Sequence, residues 1–532
     1  MAQRVLSPDM IKMVSSFQEN GKLLAQNKLF VEAIAEFKKA LEIMPESVSI
    51  LTELHQVYQN TNDEEKQLDV LQQIYRIQKD EMSIYQRAML MDLQKRFLVW
   101  DHLQEHWAYF KRSDILDKGV LAPFHSLSCP LSVSQLQQVA RAFVKKNQDF
   151  QPRVAQFSFK DRKFSDRKIR LGFLGADFRI HPTGFVIAEF FDLIDKSKFE
   201  LYLYDNFPAH EQAWPRKRIY ATTSHVCDVQ NMSNEQLAEK IYKDEIDVLI
   251  DINGLTLKHR LAVMPYQSAP VQATFLGFCG TQGGIPGLEY NFSDKYCIHE
   301  NEQCFYDEKI KYLEPVHRLI DRKIEVPKDD FKRSHLGLKE DQLVLCCFNN
   351  TYKYTPAYFD LWARILKRVP KAVLWFYKPN EFCEANILKE MAKRDIPANR
   401  VVFTPMMTHP AHMARYRVAD LFLDTELYGA HTTAMEALYM GCPMLTCPGT
   451  TFVSRVGGSL LTALQMPELI CKDVAEYEEK AVSYLTNPES LKALKKKVAD
   501  KVKSSSLFDT EKFTRSFEKA CLEMLDDFQQ KK

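Results

Sequence analysis

The sequence predicts an α/β protein: two Rossmann-like, doubly wound domains in tandem, preceded by an all-α, repeat-like N-terminal region. Three observations predict it. Residues up to about 165 show helix-period apolar spacing without strand-like runs. From Lys168 onward, continuous apolar runs alternate with amphipathic stretches, the texture of parallel sheets covered on both faces. Those runs form two successive series, each long enough for a sheet of its own. The expected domains are 1–165, 166–325 and 326–532.

Taken in order, Gly21, Leu24, Ala33, Phe37, Ala40 and Pro45 reproduce the small/large pattern of a tetratricopeptide repeat of ~34 residues. Small residues let two helices touch, Phe37 fills the gap, and Pro45 ends the second helix. A second unit after Val48 keeps Tyr58 but little else of the pattern. One clear repeat is too few for a long solenoid, so a short partner-facing arm is expected. The first strand series is IRLGFLG (169–175), FELYLYD (199–205), DVLIDING (247–254) and VQATFLG (271–277). The second is LVLCCFN (343–349), AVLWFY (372–377), RVVFTP (400–405), DLFLDT (420–425), PMLTCP (443–448) and ELICKD (468–473). Residues 325–341 read as the junction. The tail, 509–528, reads as an amphipathic helix with Phe513, Phe517, Cys521 and Met524 on one side. Tandem doubly wound domains place a ligand cleft between their strand C-terminal ends.

Composition narrows the function. The net charge of +1 gives no global field to draw nucleic acid or an anionic membrane. No run approaches the ~18 apolar residues of a spanning helix. The N-terminus lacks an apolar signal core, and the 12 cysteines contain no CxxC pair. Reduced thiols in a cytoplasmic protein are expected.

Three polar clusters fall at strand ends of the second series. In DTELYGAHTTAMEAL a helix starting near His431 points its first N–H groups into the cleft, an anion site reinforced by the helix dipole. Thr432 and Thr433 add hydroxyls there, although threonines also serve as plain helix caps. In FNNTYKYTP, Asn350, Tyr352 and Lys353 follow the first strand of the same domain; a lysine there sets a full charge on a phosphate. In TPMMTHPAHM, Met407, His409 and His412 follow another strand, with the two histidines on one side of a helical turn, where flat imidazoles can stack on or hydrogen-bond a nucleobase. The first series contributes GADFRIHPTGF, whose Asp177 and His181 can take or relay a proton near neutral pH. It also contributes FLGFCGTQGG, where the backbone at Leu276 and Gly277 can approach a sugar closely. That stretch lacks GxGxxG, so no dinucleotide cofactor is expected. Zinc spacing is absent, and the Asp424-Thr425-Glu426 triplet reads as a strand-end turn, so no metal is expected.

These residues resemble a known family. DFRIHPTGF, SAPVQATFLGFCGTQGG, CFNNTYKYTP, WARILKRVPKAVLW, DLFLDTELYGAHTTAMEAL and GCPMLTCPG are similar to the catalytic part of the protein O-GlcNAc transferases. These form glycosyltransferase family 41, which also holds SPINDLY-type O-fucosyltransferases. The likeness, with the helical stretch 97–127 and the repeat, covers nearly the whole chain. It implies a metal-independent, inverting enzyme of GT-B fold, with no cofactor beyond its nucleotide-sugar donor. In the family pattern Lys353 matches the diphosphate lysine, Thr432 and Thr433 the phosphate threonines, and His431 the histidine before them. Glu436 stands where an aspartate usually meets the ribose, His412 by the uracil, and His409 at a uridine-contacting lysine. Asp177 and His181 match the acid and histidine proposed to handle the acceptor proton. Ile180, Phe185 and Cys279 depart from the pattern, standing for an asparagine, a histidine and a proline.

The function expected from the resemblance is transfer of GlcNAc from UDP-GlcNAc to Ser or Thr of a protein or peptide. Its rivals keep the fold but use UDP-glucose, GDP-fucose or a glycan acceptor, or make the chain a non-catalytic scaffold that senses a sugar nucleotide. The presence of Asp177, His181 and Lys353 argues against the scaffold.

Overall fold

The computed structural model describes residues 7–153, 157–165, 167–207, 213–328 and 332–531. The chain divides into two compact units, Met1–Tyr109 and Phe110–Lys532.

In the first unit, helices Pro8–Gln26 and Phe30–Ile43 pack as a hairpin. A Cβ on Gly21 would sit 2.7 Å from the Phe37 ring, so the glycine is what lets that ring in. The second helix stops at Ile43, just ahead of Pro45. Val48–Asn60 and Glu64–Gln78 form another hairpin. It buries Leu51, Leu54 and Tyr58 with Leu68, Leu71 and Tyr75. That apolar periodicity suffices to build it although the repeat pattern is worn. Ile84–Phe97 follows.

The second unit opens with short helices and Val133–Lys146, whose Ser132 and Gln135 form a capping box. Arg141 of that helix pairs with Asp307 at 2.5 Å. The first sheet then comprises β1 (Ile169–Gly175), β2 (Phe199–Asp205), β3 (His225–Asp228), β4 (Val248–Asp251), β5 (Val271–Thr274), β6 (Tyr290–Ser293) and β7 (Lys309–Tyr312). All pairings are parallel, in the order β3-β2-β1-β4-β5-β6-β7. β1 and β2 run in register from Ile169↔Phe199 to Gly175↔Asp205. Strands β3, β6 and β7 escape the sequence reading. β3 and β7 are edge strands of four residues, half-exposed and polar, and carry no apolar run.

The second sheet comprises β8 (Leu343–Cys346), β9 (Ala372–Tyr377), β10 (Val401–Thr404), β11 (Leu421–Leu423) and β12 (Met444–Leu445), parallel in the order β10-β9-β8-β11-β12. The sixth expected strand, 468–473, is reduced to one bridge, Thr446↔Ile470. Helix Thr510–Gln530, grouped by sequence with 326–532, buries its apolar face in the first sheet's core. Phe517 lies 4.9 Å from both the Phe190 and Phe292 rings. The chain thus ends on the lobe where its sheets began.

Strand order reverses between β1 and β4 in one sheet and between β8 and β11 in the other. Ligands of open α/β sheets bind at such switch points. The loops after β1 and β4 carry Asp177, His181 and Asn253; those after β8 and β11 carry Lys353 and His431. No helix among the described residues is long and apolar enough to cross a membrane.

Candidate functional site

At the second switch point Lys353 closes a single helical turn, Thr351–Lys353, just past β8. Its ammonium is buried, donates to Gly429 O at 2.9 Å and lies 4.1 Å from the Tyr428 ring centroid. That one hydrogen bond among the described residues leaves two of its three donors uncommitted. Burial pulls its pKa down to about 8, against the pull of Asp424. Asp424, itself buried, holds the β11 loop: its carboxylate accepts from Thr425 N, Ala430 N and the Thr446 hydroxyl. This is the strand-end turn the triplet suggests.

Helix Thr432–Tyr439 begins on the far side of that loop. His431, in the position before it, donates from Nε2 to Val453 O at 3.0 Å. A carbonyl only accepts, so this bond fixes the tautomer and leaves Nδ1 as an acceptor. Arg318 Nη2 fills it at 2.9 Å. Burial, then the charges of Arg318 and Lys353, hold His431 well below the ordinary imidazole range, so the ring is neutral. Thr433 donates its hydroxyl to Asn349 Oδ1 at 2.8 Å, so its proton is committed and only its lone pairs are open. Thr432, at the first helical position, is half-buried. Asn350 Oδ1 accepts from the Tyr377 hydroxyl at 3.2 Å, and the Tyr352 ring meets the Phe124 and Tyr428 rings edge-on at 5.9 Å.

Arg318 is the group that sequence reasoning missed. It follows the last strand of the first sheet, in PVHRLID, with nothing local to mark it. Buried, it donates through Nε to His317 Nε2 at 3.1 Å and through Nη2 to Cys279 Sγ at 2.6 Å as well as to His431. It carries a second cation from the first lobe to the start of helix Thr432–Tyr439. His317 in turn donates through Nδ1 to Asp294 at 2.5 Å. Asp294, Cys297 and His317 offer ligand atoms within 4.8 Å of one another, a grouping of metal-ligating types. Their atoms are spent otherwise: Asp294 also accepts from Tyr296 N, Cys297 N, His317 N and Ser459 Oγ, and a guanidinium occupies His317 Nε2.

Further along, His409 and His412 share one acceptor. Glu436 takes His409 Nε2 at 2.6 Å and His412 Nε2 at 3.3 Å. Burial alone would raise this carboxyl, but the two imidazoles bring it down to about 2. His412 Nδ1 accepts from Arg415, and burial and that charge keep the ring neutral. One face of His409 is covered by Phe185 of the first lobe, the rings 3.9 Å apart and 4° from parallel. Its Nδ1 is buried without a partner among the described residues. The expectation that His409 stacks on a base therefore meets a ring with one face taken and one polar atom open. Met407 lies half-buried in the loop before it.

In the first lobe Asp177 is buried and accepts from Asn253 Nδ2 at 2.6 Å; Asn253 Oδ1 accepts in turn from Ala176 N. His181, the residue before helix Pro182–Leu193, sets Nδ1 3.5 Å from Asp177 Oδ2 and 3.3 Å from Thr183 N. These two contacts demand opposite states of Nδ1. Accepting from Thr183 puts the ring proton on Nε2; donating to Asp177 frees Nε2 to accept one. Burial lowers the His181 pKa, so the ring is neutral and able to take a proton at pH 7. Leu276 adopts a left-handed φ of 76°, and Gly277 lies so close to the Ile252 and Asn253 carbonyls that no side chain fits. The β5 loop is thus pressed against the β4 loop that orients Asp177.

The lobes meet where Arg318 and Cys279 reach His431 and where Phe185 covers His409. The arrangement can hold a diphosphate between Lys353, the start of helix Thr432–Tyr439 and Arg318, with a carboxylate-oriented imidazole in the opposite lobe.

The description of Glycosyl transferase family 41 matches residues 113–328 and 325–517, well over half of the chain. The probable UDP-N-acetylglucosamine–peptide N-acetylglucosaminyltransferase SEC of Arabidopsis thaliana is 30% identical over 415 residues, 76% of this chain and 42% of that protein. The UDP-N-acetylglucosamine–peptide N-acetylglucosaminyltransferase of Caenorhabditis elegans is 25% identical over 464 residues, 66% of this chain and 40% of that protein. The chain thus spans less than half the length of these relatives. A solved structure of an O-GlcNAc transferase variant from Thermobaculum terrenum matches with a TM-score of 0.76 and 20% identity, covering 99% of this chain and 100% of that one. That likeness, at 20% identity, concerns the fold alone.

Proposed function

The chain belongs to glycosyl transferase family 41, and we propose that it moves GlcNAc from UDP-GlcNAc to Ser or Thr hydroxyls of a protein acceptor by an inverting, metal-independent reaction. The observation that carries this is Lys353, a buried ammonium with two open donors facing the start of helix Thr432–Tyr439 at the β8/β11 switch point. As the glycosidic bond breaks, negative charge grows on the leaving diphosphate. Lys353, the helix N-terminus and Arg318 through His431 are placed to stabilise it, the work a metal ion does elsewhere. The acceptor hydroxyl attacks the anomeric carbon from the opposite face; its proton passes to His181, oriented by Asp177. The names of the relatives support the donor and the peptide acceptor. The 12 cysteines, all free thiols, fit a reducing cytoplasm. A hydrolysis assay across UDP-GlcNAc, UDP-glucose and GDP-fucose tests the donor. Turnover confined to UDP-GlcNAc is expected; preference for GDP-fucose would reassign the sugar, and no turnover of any would favour a sensing scaffold.

A further inference from the structure

Beside the proton-handling pair, the loops after β2, β3 and β4 enclose an open cavity of about 660 Å³ that no part of the donor site uses. Asn206, Phe207, Gln230, Lys258 and Arg260 line it. Among the described residues its cations meet only neutral partners. Arg260 donates to Asn206 Oδ1, Asn234 Oδ1, Val229 O and Met232 O, all neutral oxygens. Lys258 Nζ lies 4.5 Å from the Phe207 ring centroid, and neither it nor Arg260 pairs with a carboxylate among the described residues. Two exposed acids lie close in sequence: Glu235, next to the lining residue Asn234, and Asp228, which spends one oxygen on Gln230 N of its own turn; neither pairs with Lys258 or Arg260 among the described residues. Arg216, also over Phe207, is by contrast neutralised by Asp205 at 3.0 Å. A cleft whose described cations hold no carboxylate attracts anionic groups.

The cleft is tied to the chemistry. Arg179 also lies 4.5 Å from the Phe207 ring centroid, and 3.5 Å from Asp177 Oδ1. Phe207, Asp177 and Lys258 thus follow β2, β1 and β4, three adjacent strands of one sheet. Two large apolar side chains of these loops stand in the open, Ile180 at 57% exposure and Leu257 at 85%. Cations beside exposed aliphatic groups suit an extended polypeptide with an acidic residue, rather than a free sugar, which offers no charge.

We propose that Lys258 and Arg260 form an acceptor subsite that binds an Asp or Glu side chain a few residues from the modified Ser or Thr. The inference rests on the protein-acceptor reading above.

The test uses the full chain and a Ser-containing peptide series carrying Glu, Gln or Lys at each position flanking the serine. Two readouts are taken: kcat/KM with UDP-GlcNAc, and peptide affinity by fluorescence anisotropy in the presence of UDP. One Glu position should improve both by about five- to tenfold over Gln. Lys258→Glu should abolish that gain, leave the Gln peptide and UDP affinity unchanged, and make the Lys peptide the better ligand. Because Arg260 also ties three loops together, Lys258 is the residue varied. Equal handling of Glu and Gln peptides at every position overturns the subsite, as does a Lys258→Glu variant that loses UDP affinity. Transfer to no peptide, with the Glu preference still present in binding, would count against the catalytic reading and leave the subsite standing.

Discussion

Lys353 reports on its own surroundings. Its pKa near 8 means that the free protein loses this charge as pH rises from 7 to 9. A bound diphosphate favours the charged form, so binding takes up a proton above about pH 8 and affinity must fall there. UDP affinity by calorimetry should drop across pH 7–9 in the native chain and stay nearly flat in Lys353→Met; a flat native profile would remove Lys353 from the phosphate site. His181 is tested differently. Its Nε2 is free to act only while Nδ1 donates to Asp177. His181→Ala should lose roughly 10²–10⁴-fold in transfer while binding UDP normally, and Asp177→Asn should be impaired in the same step. Wild-type rates in both across pH 6–9 would exclude the pair as base. Both residues stand out in the sequence because each follows an apolar strand within a few positions. Arg318 does not, since its meaning lies in a contact 113 residues away with His431. Glu436 is expected near the ribose only through the family resemblance, and its capture of two imidazoles depends on a helix packing that no local pattern encodes.

Elements with long apolar runs were readable, and elements defined by their neighbours were not. β1, β2 and β9 match their runs residue for residue, whereas β3 and β7 exist because an adjacent strand offers an edge. The final helix shows the same division. Its apolar stripe is plain in the sequence, but not that the stripe faces Phe173 and Phe292 of the first sheet and Phe190 of helix Pro182–Leu193. Phe517 is fully buried among them. Phe517→Ala should cost about 3–5 kcal/mol. Denaturant unfolding should then show the unit Phe110–Lys532 losing stability as a whole, because its last helix closes its first sheet. A loss confined to fraying of the C-terminal helix, with the transition midpoint unchanged, would contradict that coupling.

At the scale of the whole molecule, the helical unit and the two-sheet unit invite separate tasks. The residues proposed to hold the nucleotide all belong to Phe110–Lys532, and the tetratricopeptide pattern belongs to the other unit. Deleting residues 1–80 should leave UDP affinity unchanged and reduce transfer to protein more than to a short peptide; loss of UDP binding in a still-folded truncation would refute the division. The central claim is that the cleft between the sheets transfers a sugar from a nucleotide diphosphate to a protein hydroxyl, with Lys353 stabilising the leaving group. The most direct measurement is kcat/KM for transfer from UDP-GlcNAc to a protein acceptor, followed by mass, in the native chain and in Lys353→Ala. The account predicts a GlcNAc-sized mass increase on Ser or Thr in the native chain and a loss of at least about tenfold in the variant, the equivalent of roughly 1.5–3 kcal/mol for a charge-assisted phosphate contact. Transfer at the native rate by Lys353→Ala, or no transfer by the native chain, would contradict it.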